Sequence, residues 1–303
     1  MPNHRQLRLG IDVGSSALKL VAVRTLPHRA PVLVDYVIEP LPATAVEAKH
    51  IRSVSSVNVA LKNACRKLRL HPRVAYLAIP TASATTRQIT LPGHLNEMAI
   101  EARVSLAAEA QISSATEPLC VDYCTAADEQ ITLTATRQCN VNQRVALLQS
   151  TALAPAGIDL EAYAVSRAIR LGLSANDQSD LGVVDLGQDT LNLTLLSNGR
   201  LIQARDQVLH GDLHHPQQTA DAVKRLLALL TGSGATSRPA QLVVCGGRAD
   251  NSAQLARIEQ ITGLPVSLPN LQPLLKANST PLKDATRLIT AIGLALPRSV
   301  HGS

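Results

Sequence analysis

The chain has 303 residues, 46% of them apolar and 17% charged, a globular balance with room for one large two-lobed unit or two ordinary domains. It has no Phe, no Trp and only four Tyr, which weakens the case for an aromatic stacking platform for single-stranded nucleic acid. The formal charge of +6 comes from scattered basic residues; it demands no nucleic-acid surface and would suit an acidic partner or an anionic membrane leaflet equally well.

The first ten residues, MPNHRQLRLG, lack the apolar core of a signal peptide, and no apolar run reaches bilayer length, so a cytosolic protein is expected. Residues 7–23, LRLGIDVGSSALKLVAV, read as a hairpin with Gly14, Ser15 and Ser16 at its turn. Residues 32–38 read as a third strand and 40–50 as a loop. A helix is predicted over 54–70, because Val57, Leu61, Ala64 and Leu68 form one apolar stripe. Arg66, Lys67 and Arg69 then suit its C-terminal end. RVAYLAIP, 73–80, reads as a strand stopped by Pro80.

Residues 81–140 read as an inserted α+β unit. It comprises a strand at 85–92, a helix at 94–111 with Leu95, Ala99, Ala102 and Leu106 on one side, and two strands joined around Asp128 and Glu129. Helix 141–154, a strand near 158–162 and helix 163–172 return the chain to the first unit, and LSANDQSD, 173–180, is the clearest boundary. The resulting division is 1–80 and 141–178 for the first lobe, 81–140 for the insertion and 179–303 for the second lobe.

The opening pattern then recurs. LGVVDLGQDTLNLTLLSNGRL, 181–201, places Asp185, Gly187 and Thr190 as the first copy places Asp12, Gly14 and Ala17. The second hairpin closes on Asn198-Gly199, a strong hairpin signal. A duplicated fold with facing lobes follows. A helix at 217–231, a buried strand ending in Gly246-Gly247, a helix at 252–262 and a last helix at 284–296 with Asp284 as N-cap complete the reading; Gly293 suggests a close helix contact.

Five Cys without a repeated short spacing support neither a disulfide framework nor a zinc site, and Cys120 and Cys124 read as small buried residues of one strand face. His210, His214 and His215 lack metal-ligand spacing and read as a polar loop. No nucleophile elbow and no Walker-type loop occurs. The glycine turns carry the chemistry instead. A hairpin tip without a side chain can expose backbone N–H groups to phosphate oxygens. Ser15, Ser16 and Thr190 add hydroxyls, Lys19 adds charge, and Asp12 and Asp185 can hold Mg²⁺ through water. Gly246 and Gly247 would let a base or ribose lie against the backbone. One Asp-x-Gly turn alone is only a tight turn; two copies and a strand-Gly-Gly in this order are specific.

GIDVGSSALKL, VVDLGQDTLNL and VVCGG resemble the phosphate-1, phosphate-2 and adenosine motifs of the actin-like ATPase superfamily. AIPTASATTRQITLP, LAPAGIDLEAYAVSRA and LITAIGLALP narrow the resemblance to the PilM family of type IV pilus assembly proteins, relatives of FtsA. The resemblance implies an actin-like, ribonuclease H-like two-lobed α/β fold with a 1C-type insertion. It implies ATP and Mg²⁺ in the cleft. It also implies a partner: the cytoplasmic N-terminal peptide of a PilN-like inner-membrane protein, in a groove lined from residues around 73–92 and the helix at 94–111. Two departures stand out. Only 33 residues, 212–244, separate Gly211 from Cys245, too few for a full 2B subdomain since units below ~40 residues seldom hold a core. Gln188 and Asp189 replace small residues in the second phosphate turn, and a carboxylate there repels phosphate unless a cation intervenes. A scaffold with slow or no hydrolysis is the leading expectation. The alternatives are a nucleotide-free GspL-like secretion adaptor, an FtsA-like filament former, disfavoured for want of a C-terminal amphipathic helix, and a small-metabolite kinase with Asp35 or Asp122 as its acid.

Overall fold

The computed structural model describes residues 7–27, 29–92, 95–111, 117–125, 130–173, 179–209, 215–232, 238–275 and 282–297. Strands β1 (Leu7–Val13), β2 (Ala17–Arg24) and β3 (Val32–Pro40) form a meander. A two-residue-per-strand hairpin, β4 (Val46–Glu47) and β5 (His50–Ile51), stands where a loop was expected. Helix α1 (Val54–Lys67) follows, capped by the Ser53 hydroxyl accepting from the Ser56 N–H, and buries Val57, Leu61 and Ala64 as its spacing predicts. β6 (Val74–Ile79) then lies parallel to β1.

Next come β7 (Ala84–Thr90), α2 (Glu97–Gln111), β8 (Leu119–Thr125) and β9 (Gln130–Arg137), which build a separate three-stranded sheet ordered β7-β9-β8. Its apolar face, with Ile131, Leu133 and Ala135, packs against Val104 and Ala108 of α2. Leu106 was expected in that stripe and is instead 65% exposed. α2 carries apolar residues around most of its circumference, so periodicity does not select a face and the sheet beneath it does. Cys124 is likewise exposed, and the half-buried Cys120 thiol contacts Gln138 Oε1 at 2.8 Å, so the pair is not core. This polar face of the sheet also carries Thr132 and Thr134.

Helix α3 (Gln138–Gln149), β10 (Ala154–Leu160) and α4 (Glu161–Arg170) complete the first lobe, whose five-stranded sheet runs β10-β6-β1-β2-β3. β11 (Leu181–Leu186), β12 (Thr190–Ser197), β13 (Arg200–Val208), α5 (Pro216–Thr231), β14 (Gln241–Cys245), α6 (Ser252–Thr262) and β15 (Val266–Ser267) follow, with the second sheet ordered β13-β12-β11-β14-β15. The two sheets share one connectivity. β6 is to β1 what β14 is to β11, a parallel neighbour, and Asp12 pairs with Lys19 where Asp185 pairs with Asn192. Both turns close alike, Gly14 N–H donating to Ala17 O at 3.1 Å and Gly187 N–H to Thr190 O at 2.9 Å. Between β13 and β14 the described residues carry α5 alone.

The chain ends in a 3-10 turn, Ala285–Leu288, and the wholly buried α7 (Ile289–Ala295). Asp284 does not cap this helix; its carboxylate accepts from the Arg287 guanidinium (3.3 Å) and the Tyr36 hydroxyl (3.4 Å). α7 is wedged between the lobes. Val21 and Val23 of β2, Val165 and Ile169 of α4, Leu181 and Val183 of β11, and Ile289 and Ile292 of α7 share one core. A β-carbon on Gly293 would collide with the Ala164 carbonyl, so this glycine sets the approach of α7 to α4. The last carbonyls of α7 are satisfied by cations: Arg8 Nε donates to Ala295 O (2.8 Å) and Arg167 Nε to Gly293 O (3.1 Å). His210 and His214 lie outside the described residues; His215 is exposed just before α5.

Candidate functional site

Asp12 and Asp185 are the next-to-last residues of β1 and β11, and both line the gap between the lobes. Lys19, opposite Asp12 on β2, reaches the same gap and pairs with Asp12 Oδ2 at 2.9 Å, both side chains being largely buried. A β-carbon on Gly14 would sit 2.5 Å from Lys19 Nζ, so glycine there makes room for the lysine. Thr190 is buried at the start of β12. Gly246, at φ +98°, needs glycine's left-handed freedom, and a side chain there would strike the Asp185 carboxylate and the Leu186 backbone. Gly247 faces open space: a β-carbon added there would meet nothing within 4 Å. The ten residues singled out in the sequence (Asp12, Gly14, Ser15, Ser16, Lys19, Asp185, Gly187, Thr190, Gly246 and Gly247) all line one cleft of about 160 Å³.

The glycine amides differ from expectation. Gly14 and Gly187 spend their N–H groups closing their own hairpins, so they are not donors for an anion. The second turn also lacks a lysine: Asn192 occupies the position of Lys19 and donates to Asp206 Oδ1 at 2.7 Å.

Four further charged residues line this cleft without any signal in the sequence, Lys49, Glu161, Arg248 and Arg287, and Asp206 lies beside Lys49. Lys49, at the tip of the β4–β5 hairpin, pairs with Glu161 at the start of α4 and lies 3.6 Å from Asp206 of β13. Asp189, noted in the sequence only as a departure, accepts from the Ser15 hydroxyl and from the Ala48 N–H, each at 2.7 Å. Burial pushes Glu161 up to about 7, helped by Asp206 and Asp12 and opposed by Lys49. Burial disfavours the Lys49 ammonium, but Glu161, Asp206 and Asp185 outweigh it and hold its pKa well above the ordinary value. Burial also raises Asp185, against Lys49 and with Asp12. Glu161 stood in a segment read as strand and Lys49 in one read as loop, so neither pattern pointed inward; only packing brings them together.

The donor set suits a magnesium nucleotide in kind. Hydroxyls and an ammonium can meet phosphate, and two carboxylates can hold the waters of Mg²⁺. Among the described residues no group of three or more His, Cys, Asp and Glu forms a metal cage. The space does not suit it as it stands: small-molecule sites usually enclose ~300–1,000 Å³, and here the Ala48–Asp189 and Lys49–Asp206 contacts tie the two sides of the gap together.

Two sheets of one connectivity, joined through α4 and α7 with Asp-x-Gly turns facing across a cleft, define a two-lobed actin-like protein. The chain is similar in fold to a PilM–PilN type IV pilus biogenesis complex, with 19% identity, a TM-score of 0.79, and coverage of 95% of this chain and 97% of that chain. It is similar to the cytoplasmic domain of EpsL, an inner-membrane component of the type II secretion system of Vibrio cholerae (8% identity, TM-score 0.54, 98% of each chain). It also resembles a Bacteroides thetaiotaomicron protein with an actin-like ATPase fold and unknown function (12% identity, TM-score 0.50, 90% of this chain and 93% of that one). The family model for type IV pilus assembly protein PilM matches residues 10–217, and the chain belongs to that family.

Proposed function

We propose that this protein is a cytoplasmic actin-like scaffold of the type IV pilus inner-membrane assembly complex. It docks the N-terminal peptide of a PilN-like membrane protein and takes ATP with Mg²⁺ in the interlobe cleft. The family match carries this reading, because residues 10–217 take in both Asp-x-Gly hairpins and the three-stranded sheet. Residues 81–140 are the 1C-type insertion and α5 is what remains of 2B. The peptide groove runs between the first lobe and that insertion, lined from residues around 73–92 and from α2. Attachment to the membrane is through the partner; among the described residues no helix is long and apolar enough to cross one.

In the cleft, Lys19, Ser15, Ser16 and Thr190 would bind phosphate oxygens, Asp12 and Asp185 would orient the waters of Mg²⁺, and Gly246-Gly247 would admit the nucleoside. When bound, ATP with Mg²⁺ would supply charge contacts across the cleft in place of those that Asp189 and Lys49 make. Isothermal titration with Mg-ATP, with and without a PilN N-terminal peptide, tests both halves. Lys19→Met is expected to weaken Mg-ATP at least about tenfold, the scale of one lost charge-assisted contact, and to leave peptide binding intact. Unchanged Mg-ATP affinity in that variant would remove Lys19 and its turn from the site.

The nucleotide-free secretion adaptor stays as a second reading, because Asp189 places a carboxylate among the phosphate donors. Nothing favours a metabolite kinase: Asp35 is engaged by Arg69, Asp122 is exposed on β8, and neither lines the cleft.

A further inference from the structure

Among the described residues, two tight hairpin turns have positive φ at both central residues. At Asn198-Gly199 (φ 51° and 68°) the residues suit the conformation. At Ala48-Lys49 (φ 46° and 65°) neither does. Side chains persist in such backbone only where their surroundings hold them, and the strain collects at clamps and switches. The base of this hairpin, Val46 and Ile51, is buried in the core of the first lobe. Its tip is held from the cleft. Ala48 N–H donates to Asp189 Oδ2 (2.7 Å), Lys49 Nζ pairs with Glu161 and approaches Asp206, and Arg144 Nη2 donates to Lys49 O (3.4 Å).

Asp189 and Asp206 belong to the second lobe, so the tip ties the lobes together. Asp189 Oδ1 takes the Ser15 hydroxyl as well, making a second tie from the β1–β2 turn. These contacts reproduce in kind those of a bound magnesium nucleotide. An anion is cradled by a hydroxyl and a backbone amide, and a cation sits among Glu161, Asp206 and Asp185.

We infer that the Ala48-Lys49 tip and Asp189 form a latch that holds the two lobes closed without nucleotide, and that phosphate and cation must displace it to bind. This rests on reading the cleft as a nucleotide site. Asp189→Ala removes both acceptor oxygens and should open the ligand-free protein, seen as a larger radius of gyration by small-angle X-ray scattering. It should also bind Mg-ATP about tenfold more tightly, as loss of a competing closed state requires. Ala48→Gly relieves the turn without removing a contact, so it should strengthen the latch and weaken Mg-ATP binding. These opposite directions separate the latch from general damage. Wild-type scattering and wild-type Mg-ATP affinity in both variants would overturn the latch and leave the nucleotide reading standing. Opening of Asp189→Ala with no Mg-ATP binding in any variant would keep the latch and overturn the nucleotide reading.

Discussion

Glu161 sits where burial and charge oppose each other. Loss of water and two carboxylates, Asp206 and Asp12, raise its proton affinity, while Lys49 lowers it. Its folded value of about 7 lies above the ordinary 4.5, so the folded protein binds the extra proton between those values. The contribution is therefore complete below about pH 4.5 and is lost as pH rises through about 7. Asp185 is raised too and acts in the same sense. Melting temperature should fall between pH 5 and 8, and Glu161→Gln should flatten that fall by the equivalent of at most ~3 kcal/mol. Thermal melts across that range check it; an undiminished slope in Glu161→Gln would place the titration elsewhere. Nothing in the sequence around Glu161 marks it, since IDLEAY reads equally as a strand end or a helix start. Asp12 and Lys19, by contrast, were legible because a two-strand alternation fixes which side chains share a face.

At the scale of elements, α1 and α5 could be read from their apolar stripes and α2 could not. The difference is compositional: α1 and α5 have polar backs, whereas α2 offers apolar residues on nearly every side. The contrast is measurable. Val104→Ala should cost about 1–3 kcal/mol, the usual range for removing buried methyls, and Leu106→Ala no more than about 0.5 kcal/mol. Chemical denaturation of the two variants decides between the faces; equal losses would mean that both are packed. The last helix shows the other limit. Asp284 has the residue type and position of an N-cap, but the Arg287 guanidinium and the Tyr36 hydroxyl hold its carboxylate, and a 3-10 turn opens the segment instead.

Across the whole molecule, the shared core around α7 matters most. Leu181, Val183 and Ile289 lie in one apolar cluster with Val21 and Val23, so neither lobe completes its core alone. The described protein should melt as one cooperative unit, with calorimetric and van't Hoff enthalpies in agreement. Two resolved transitions would show that the lobes fold separately. Such a joint allows rotation of the lobes about a packed axis while the latch on the cleft side opens or closes, the usual arrangement of hinge and site in two-lobed proteins.

The sequence alone determined the duplicated Asp-x-Gly hairpins, the strand that ends in Gly246-Gly247 and the α/β alternation around them, because strand pairing and tight turns are local and leave periodic traces. It did not determine what fills the cleft. Lys49, Glu161, Asp189 and Asp206 come from four separate segments, and a charge pattern formed by distant segments has no period to read. Only the packing of one lobe on the other decided that their charges meet.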